Sequence, residues 1–147
     1  MPLEIRTGPA DQPARDRIGA ALTEHSREAG HPFEIEELLV EAWDGRRWLG
    51  GLTARITQRW MFIHLLAVAP EARGQRIGTT LMRAAENEAL RRALLGLWLD
   101  TYSFQAPGFY AKLGFTEVGR IPDYPPGHAR IFLAKRLGGR PVPGATR

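Results

Sequence analysis

The sequence has no cysteine among its 147 residues. This absence excludes a disulfide framework, a cysteine nucleophile and a cysteine-based metal site. The chain also lacks an apolar run near the roughly 20 residues that cross a bilayer. Its first ten residues, MPLEIRTGPA, lack the basic-then-apolar layout of a signal peptide. We therefore expect a cytoplasmic protein that makes no membrane contact.

Basic charge is present, but no single segment concentrates it. The net charge is +4, with a sequence pI of about 10.1, and the arginines and lysines occur as scattered pairs. A nucleic-acid-binding face needs basic residues gathered on one element, so this spread argues against a nucleic-acid partner. The four histidines, His25, His31, His64 and His128, lack metal-ligand spacing. We expect no metal.

The hydrophobic pattern predicts one domain over residues 1–137 and a disordered tail over 138–147. A strand, a helix and a further strand around position 80 predict a parallel strand pair. The strand before that helix is almost continuously apolar, which predicts burial on both faces. The predicted strands span 3–6, 37–43, 48–56, 60–68, 95–101, 115–119 and 130–135, and the predicted helices span 11–29, 77–93 and 105–113.

The most informative segment is LLAVAPEARGQRIGTTL, residues 65–81. An apolar run ends at Pro70, a loop with two arginines and two glycines follows, and a helical pattern then begins. This order places free backbone N–H groups at a helix start, where proteins bind phosphate. Arg73 and Arg76 oppose the helix dipole there, so they indicate that an anion binds between them. We call residues 73–78 the phosphate loop.

Two motifs in this sequence resemble the GNAT superfamily of N-acetyltransferases. The phosphate loop, Arg73-Gly74-Gln75-Arg76-Ile77-Gly78, matches the family's pyrophosphate motif R/Q-x-x-G-x-G/A, and residues 109–115, FYAKLGF, match its FYxKLGF signature. The resemblance covers residues 3–137. It implies an α/β (α+β) fold with a mixed, mostly antiparallel, splayed sheet of six to seven strands flanked by helices.

Arg76 departs from the family motif, which usually has glycine at that position. Glycine allows unusual dihedral angles and close approach of a phosphate. Arginine keeps the N–H donor and adds a cation, which is the least harmful substitution beside an anion. We expect Arg76 to be tolerated if its dihedral angles are helical; otherwise the affinity for the phosphate falls.

The resemblance implies acetyl transfer from acetyl-CoA to a primary amine of a small molecule or protein, by direct attack and without a covalent enzyme intermediate. Relatives pair the pantetheine arm with the strand before the loop, and a backbone N–H there, Leu66 in this chain, polarises the thioester carbonyl. Gln105 lies near the position at which relatives carry an asparagine. The implied residues that contact acetyl-CoA are Leu66, Ala67, Val68, Arg73, Gly74, Gln75, Arg76, Ile77, Gly78, Thr79 and Gln105.

Tyr110 occupies the motif position of the general acid. A phenol with a pKa near 10 stays protonated at neutral pH and can donate to a thiolate whose conjugate acid has a pKa of about 8.5. His64 lies on the strand that carries the general base in some relatives. Asp100 and a chain of waters are alternative bases. A histidine in an apolar strand is also commonly a core residue, and a bulge near Leu66 would change which face it lies on.

The acceptor amine is less well specified. The family arrangement implies that it enters opposite CoA, between the first helix, its following loop and the last strand connection. The implied acceptor-binding residues are Phe33, Glu34, Asp100 and Tyr124, with Glu36 and His128 as further candidates. The resemblance leaves a homodimer open, since relatives are often dimers.

Two alternatives to an enzyme remain. The chain could be a degenerate acyl-CoA-binding or protein-interaction domain, because Arg76 departs from the motif and the base is not identified. The basic pI also suggests a nucleic-acid-binding domain, which a shallow salt dependence of binding would contradict.

Overall fold

The computed structural model describes residues 2–138. The predicted tail over 138–147 therefore lies, apart from Gly138, outside the described residues. The chain divides into two compact units, with the boundary between Glu34 and Ile35 in the sequence. Each unit is described by itself.

The first unit contains helix α1, Gln12–Glu28. Asp11 caps its start, since the Asp11 side chain accepts a hydrogen bond from the Ala14 N–H at 2.8 Å. The strand predicted over 3–6 is wrong. Leu3 and Ile5 are 87% and 77% exposed, and residues 2–11 form no helix or strand. An extended segment becomes a strand only when a neighbouring strand supplies ladder hydrogen bonds.

The second unit is built on a six-stranded sheet in the order β1-β2-β3-β4-β6-β5. All neighbouring strands are antiparallel except β3 and β4, which are parallel as predicted. Within residues 2–138 the sheet has six strands and no seventh. The elements of this unit are β1 Glu36–Asp44, β2 Arg47–Thr57, β3 Trp60–Val68, α2 Ile77–Arg91, β4 Gly96–Tyr102, α3 Pro107–Lys112, β5 Thr116–Pro122 and β6 Ala129–Arg136.

Helix α2 covers one face of the sheet. Its inner side carries Leu81, Met82, Ala85 and Ala89, all of which are buried. They pack with buried residues of β2, β3, β4 and β6 in one apolar cluster. Full burial of a leucine or methionine contributes about 1.5–3 kcal/mol. This packing therefore fixes the start of α2 against the sheet.

Strands β3 and β4 are paired over only three positions, from Trp60 with Gly96 to Phe62 with Trp98. Beyond Phe62 the two strands diverge. The register between β2 and β3 also shifts at this point, because Ala54 pairs with Ile63 and Thr53 with Leu65.

His64 is consequently a bulge residue. His64 and Leu65 are exposed in succession, so the prediction that β3 is buried on both faces is wrong for its second half. Strand alternation is reset by the extra residue. The divergence leaves the edge of β3 that faces β4 unpaired from residue 63 onward.

Candidate active site

A cleft of about 690 Å³ lies where β3 and β4 diverge. Its walls come from the second half of β3, the phosphate loop with the first turn of α2, and the end of β4 with α3. Cavities of roughly 300–1,000 Å³ are typical of small-molecule and cofactor sites. The cleft is lined by these predicted site residues: His64, Leu66, Ala67, Val68, Arg73, Gly74, Arg76, Ile77, Gly78, Thr79, Asp100, Gln105 and Tyr110.

The remaining predicted residues do not line this cleft. Gln75 is exposed in the phosphate loop, and Tyr124 lies in the connection between β5 and β6. Glu36 pairs with Arg92 at the end of α2, which gives it a structural partner. Phe33 and Glu34 belong to the first unit, where the Phe33 N–H donates to Ser26 Oγ at 3.3 Å; their role in acceptor binding stays a prediction.

The backbone of the phosphate loop is left-handed at two positions. Gly74 has φ +81°, and Arg76, which caps α2, has φ 61° and ψ 27°. Arg76 is therefore not right-handed helical, which is the case for which the sequence predicts a lower affinity for the phosphate. The left-handed region costs an L-residue about 1–2 kcal/mol, which explains why the family motif has glycine there.

The first turn of α2 supplies free hydrogen-bond donors. The first intrahelical bond runs from the Thr80 N–H to the Arg76 carbonyl at 3.0 Å. The N–H groups of Ile77, Gly78 and Thr79 therefore have no acceptor within the helix. No acidic residue lies in this turn.

The two loop arginines have no acidic partner. Both side chains are exposed, and within residues 2–138 neither Arg73 nor Arg76 forms an ion pair. Two cations and several free N–H groups then lie together at a helix start, a combination that stabilises an anion such as a pyrophosphate.

Gly78 brings the phosphate loop close to α3. A Cβ at this position would lie 3.3 Å from Phe109 Cζ, so a larger residue would require the Phe109 ring to shift by a few tenths of an ångström. Phe109 lies beside Tyr110 in α3, with the two rings 5.0 Å apart and nearly perpendicular. Phe109 thus lies between Gly78 of the phosphate loop and the ring of Tyr110.

Tyr110 is half-buried, and its ring also packs on Phe115 at 6.1 Å. Burial raises the pKa of the Tyr110 phenol above its ordinary value of 10.0. The phenol is therefore protonated at neutral pH and can donate a proton or a hydrogen bond. After α3 the chain is anchored by Lys135, whose Nζ donates to the Leu113 carbonyl at 2.8 Å and lies 2.7 Å from Glu86 Oε1.

Gln105 fixes the turn between β4 and α3. Its side-chain oxygen accepts hydrogen bonds from Thr101 Oγ1 at 2.9 Å and from the Tyr102 N–H at 3.1 Å. Because that oxygen is used within the turn, the side-chain NH₂ group is what Gln105 can offer to a ligand in the cleft.

The two candidate bases differ in their surroundings. His64 is exposed at the bulge of β3. Asp100 is paired with Arg130, whose Nε donates to Asp100 Oδ1 at 3.0 Å and whose Nη2 lies 2.9 Å from the same oxygen. Sequence reasoning missed Arg130, because it lies 30 residues from Asp100 and only the pairing of β4 with β6 joins them.

Within residues 2–138, no group of three or more His, Asp and Glu residues is arranged to hold a metal ion. Over the same range, every helix is too short or too polar to span a membrane.

Comparison with known proteins identifies relatives of the chain. A model of the acetyltransferase (GNAT) family matches residues 9–115. The blasticidin-S acetyltransferase of Streptomyces morookaense is 39% identical over 89 residues, which are 60% of this chain and 65% of that protein. The match thus spans slightly less than two thirds of that relative's length.

Solved structures give the same picture. The crystal structure of an acetyltransferase from Bacillus cereus ATCC 14579 is 26% identical, with a TM-score of 0.81 over 90% of this chain and 98% of that chain. An aminoglycoside 6'-N-acetyltransferase complexed with coenzyme A is 22% identical, with a TM-score of 0.62 over 90% and 95% of the two chains. The second likeness shows the fold alone.

Proposed function

The chain belongs to the acetyltransferase (GNAT) family, and on that premise we propose that it transfers an acetyl group from acetyl-CoA to a primary amine of a small molecule. The observation that carries the proposal is the single cleft at the divergence of β3 from β4, which joins the phosphate loop, the unpaired strand edge and Tyr110. The relative named for blasticidin S supports a small-molecule acceptor over a protein amine.

The residues of the cleft suit acetyl-CoA as a substrate. The loop arginines and the free N–H groups of the first turn of α2 would bind the pyrophosphate. The unpaired edge of Leu66–Val68 would accept the pantetheine arm as an added strand. The Leu66 N–H would polarise the thioester carbonyl where negative charge develops.

The chemical step then needs two proton transfers. The amine nitrogen attacks the thioester carbonyl carbon, the new C–N bond forms and the C–S bond breaks. Tyr110 donates its phenolic proton to the departing thiolate, and the amine proton goes to a base. We assign that base to His64, because it is exposed at the bulge, whereas Asp100 Oδ1 already interacts with Arg130. A water chain would carry the proton onward.

Titration calorimetry with acetyl-CoA tests the binding half of the proposal, with ADP as a probe of the pyrophosphate contribution. Release of CoA from acetyl-CoA in a panel of primary amines tests the chemical half. A thiol reagent can follow this release without background from the protein, since the chain has no cysteine.

The diagnostic variant is Tyr110→Phe. We expect kcat to fall about 10²–10⁴-fold, the usual contribution of a positioned general acid, with unchanged affinity for acetyl-CoA. Tyr102→Phe is the matched control, because it removes a phenol hydroxyl from a residue outside the cleft and keeps the aromatic ring. Binding of acetyl-CoA without turnover of any amine would instead indicate a degenerate acyl-CoA-binding domain. No binding at millimolar acetyl-CoA would refute both readings.

A further inference from the structure

Four ring side chains gather at the end of β4, where it meets the connection between β5 and β6. We call Tyr102, Phe104, Tyr124 and His128 the ring cluster. The rings of Tyr102 and Phe104 are stacked, with centroids 5.2 Å apart and 17° between their planes. Tyr124 lies 5.7 Å from Tyr102, and His128 meets Phe104 edge-on at 5.2 Å.

Two rings of the ring cluster are partly uncovered. Phe104 is 55% exposed and Tyr124 is 40% exposed. Full burial of a phenylalanine side chain is worth about 1.5–3 kcal/mol, so these exposed aromatic rings lack stabilisation that a bound ligand could supply. Contiguous exposed apolar groups of this kind commonly mark binding sites.

The cluster is held in place by hydrogen bonds. The Tyr124 N–H donates to the His128 carbonyl at 3.3 Å, and the His128 N–H donates to the Pro125 carbonyl at 2.9 Å. Arg130 Nη1 donates to the Tyr124 hydroxyl at 3.0 Å. These bonds pre-organise the ring faces, which reduces the entropy lost when a ligand binds.

Arg130 also determines which kind of ligand the ring cluster can bind. Its guanidinium carbon lies 5.2 Å from the centre of the Tyr124 ring and 5.9 Å from that of Tyr102. Because a cation already draws on the electron density of these rings, a second cation on them is disfavoured. A neutral flat ring is the complementary occupant, since it can stack on Phe104 and Tyr124.

The ring cluster is adjacent in the sequence to residues that line the cleft. Thr101 and Gln105 line the cleft, and Tyr102 and Phe104 stand between them in the sequence. Asp100 lines the cleft as well and is bonded to Arg130. An acceptor held by the ring cluster is therefore next to the wall of the cleft at Asp100.

From these contacts we infer that the ring cluster is an acceptor subsite, which binds a neutral flat aromatic or heteroaromatic ring carried by the amine substrate. The inference rests on the proposed function for its role in catalysis, but the binding of the ring can be measured without turnover.

The test compares benzylamine with cyclohexylmethylamine, two primary amines of the same carbon skeleton that differ in having a flat or a puckered ring. NMR titration of the full chain, with and without CoA, gives a Kd for each amine, and CoA release from acetyl-CoA gives kcat/KM. We expect benzylamine to bind about two- to tenfold more tightly, the usual range for one aromatic stacking contact.

Phe104→Leu should abolish this preference while keeping an apolar side chain at an exposed position. Tyr124→Phe should retain it, because the ring remains. The matched control is Trp43→Leu, which removes another exposed aromatic side chain (54% exposed) from β1 and should leave the preference unchanged.

Equal Kd values for the two amines, a preference that survives Phe104→Leu, or no binding of either amine would each overturn the inference. Acetylation of both amines without a preference would overturn it while leaving the proposed function intact. Selective binding of benzylamine by a protein that fails to bind acetyl-CoA would support the ring subsite and refute the proposed function.

Discussion

The phosphate loop and the surroundings of Arg130 use arginine in opposite ways. In the loop, Arg73 and Arg76 are exposed and have no acidic partner within the described residues, and Arg76 has a left-handed backbone. Arg130, by contrast, is bonded to Asp100 and Tyr124, and it lies against a third ring, Phe132, at 5.6 Å. The two loop guanidinium groups have no acidic partner among the described residues, whereas the Arg130 guanidinium is paired with the Asp100 carboxylate.

This difference distinguishes residues that bind a ligand from a residue that stabilises the fold. An unpaired cation on a strained backbone lowers the stability of the free protein and gains a partner only when an anion arrives. A paired cation in a half-buried position stabilises the folded chain and organises the side chains around it. Replacing the loop arginines should therefore change the affinity for acetyl-CoA more than the free energy of unfolding. Replacing Arg130 should change the free energy of unfolding more than the affinity.

Among changes to these two groups of arginines, removing both loop cations should have the largest effect, which is on the affinity for acetyl-CoA. The double variant Arg73→Ala/Arg76→Ala should lower the affinity for acetyl-CoA about 10- to 100-fold, because two exposed charge-assisted contacts to phosphate are lost. Its free energy of unfolding should not fall. Titration calorimetry and urea denaturation measure the two quantities. The matched control is Arg46→Ala/Arg47→Ala in the hairpin turn after β1, and an equal loss of affinity there would contradict the assignment of the loop.

Replacing Arg130 tests the other side of the comparison. Arg130→Met leaves the Asp100 carboxylate without its cation, and we expect the free energy of unfolding to fall by about 2 kcal/mol. That is below the 3–5 kcal/mol of a fully buried pair, since the two side chains keep 29% and 16% exposure. The affinity for acetyl-CoA should change little. Arg120→Met is the control, because its ion pair with Glu117 is on the surface and should contribute little.

A smaller effect is expected from the loop backbone. Arg76→Gly relieves a left-handed arginine and should raise the free energy of unfolding by up to about 1 kcal/mol, while the loss of the cation weakens acetyl-CoA binding. Gly74→Ala is the matched opposite change. Gly74 has φ +81° and no atom within 4 Å of an added Cβ, so alanine there should destabilise by about 1 kcal/mol through conformation alone. Destabilisation by Arg76→Gly would show that the arginine makes a stabilising contact in the free protein.

The same comparison explains how much of the site could be predicted from the sequence. The phosphate loop is a local pattern, in which strand end, proline, loop and helix start follow one another within about twenty residues, so its local structure was predicted correctly, with β3 ending at Val68 and α2 beginning at Ile77. Its role in binding a phosphate stays a prediction. The parallel pair of β3 and β4 and their divergence were also predicted correctly. The sequence left the backbone conformation of Arg76 open, because residue type alone does not fix the dihedral angles of a loop residue, and the structure gives the left-handed values.

Nonlocal features were missed for a different reason. The pairing of Asp100 with Arg130, and the position of Tyr124 beside Tyr102, depend on the register of β4 with β6 and on the path of an irregular connection. No periodicity or spacing in the sequence encodes either. The strand predicted over 3–6 is wrong for the same reason, since strand formation depends on a neighbour that the local sequence does not reveal.

The smallest expected effect on stability comes from the titration of the Tyr110 phenol. Burial raises the pKa of its phenol in the folded chain, so between the unfolded value near 10 and the higher folded value the folded state binds more protons. The free energy of unfolding therefore falls as the pH rises through this window, and the stabilisation is fully present below pH 10. Tyr110→Phe should flatten this alkaline decrease, measured by urea denaturation at several pH values from 9 upward. A slope that is unchanged in Tyr110→Phe would show that the phenol is not the group that titrates.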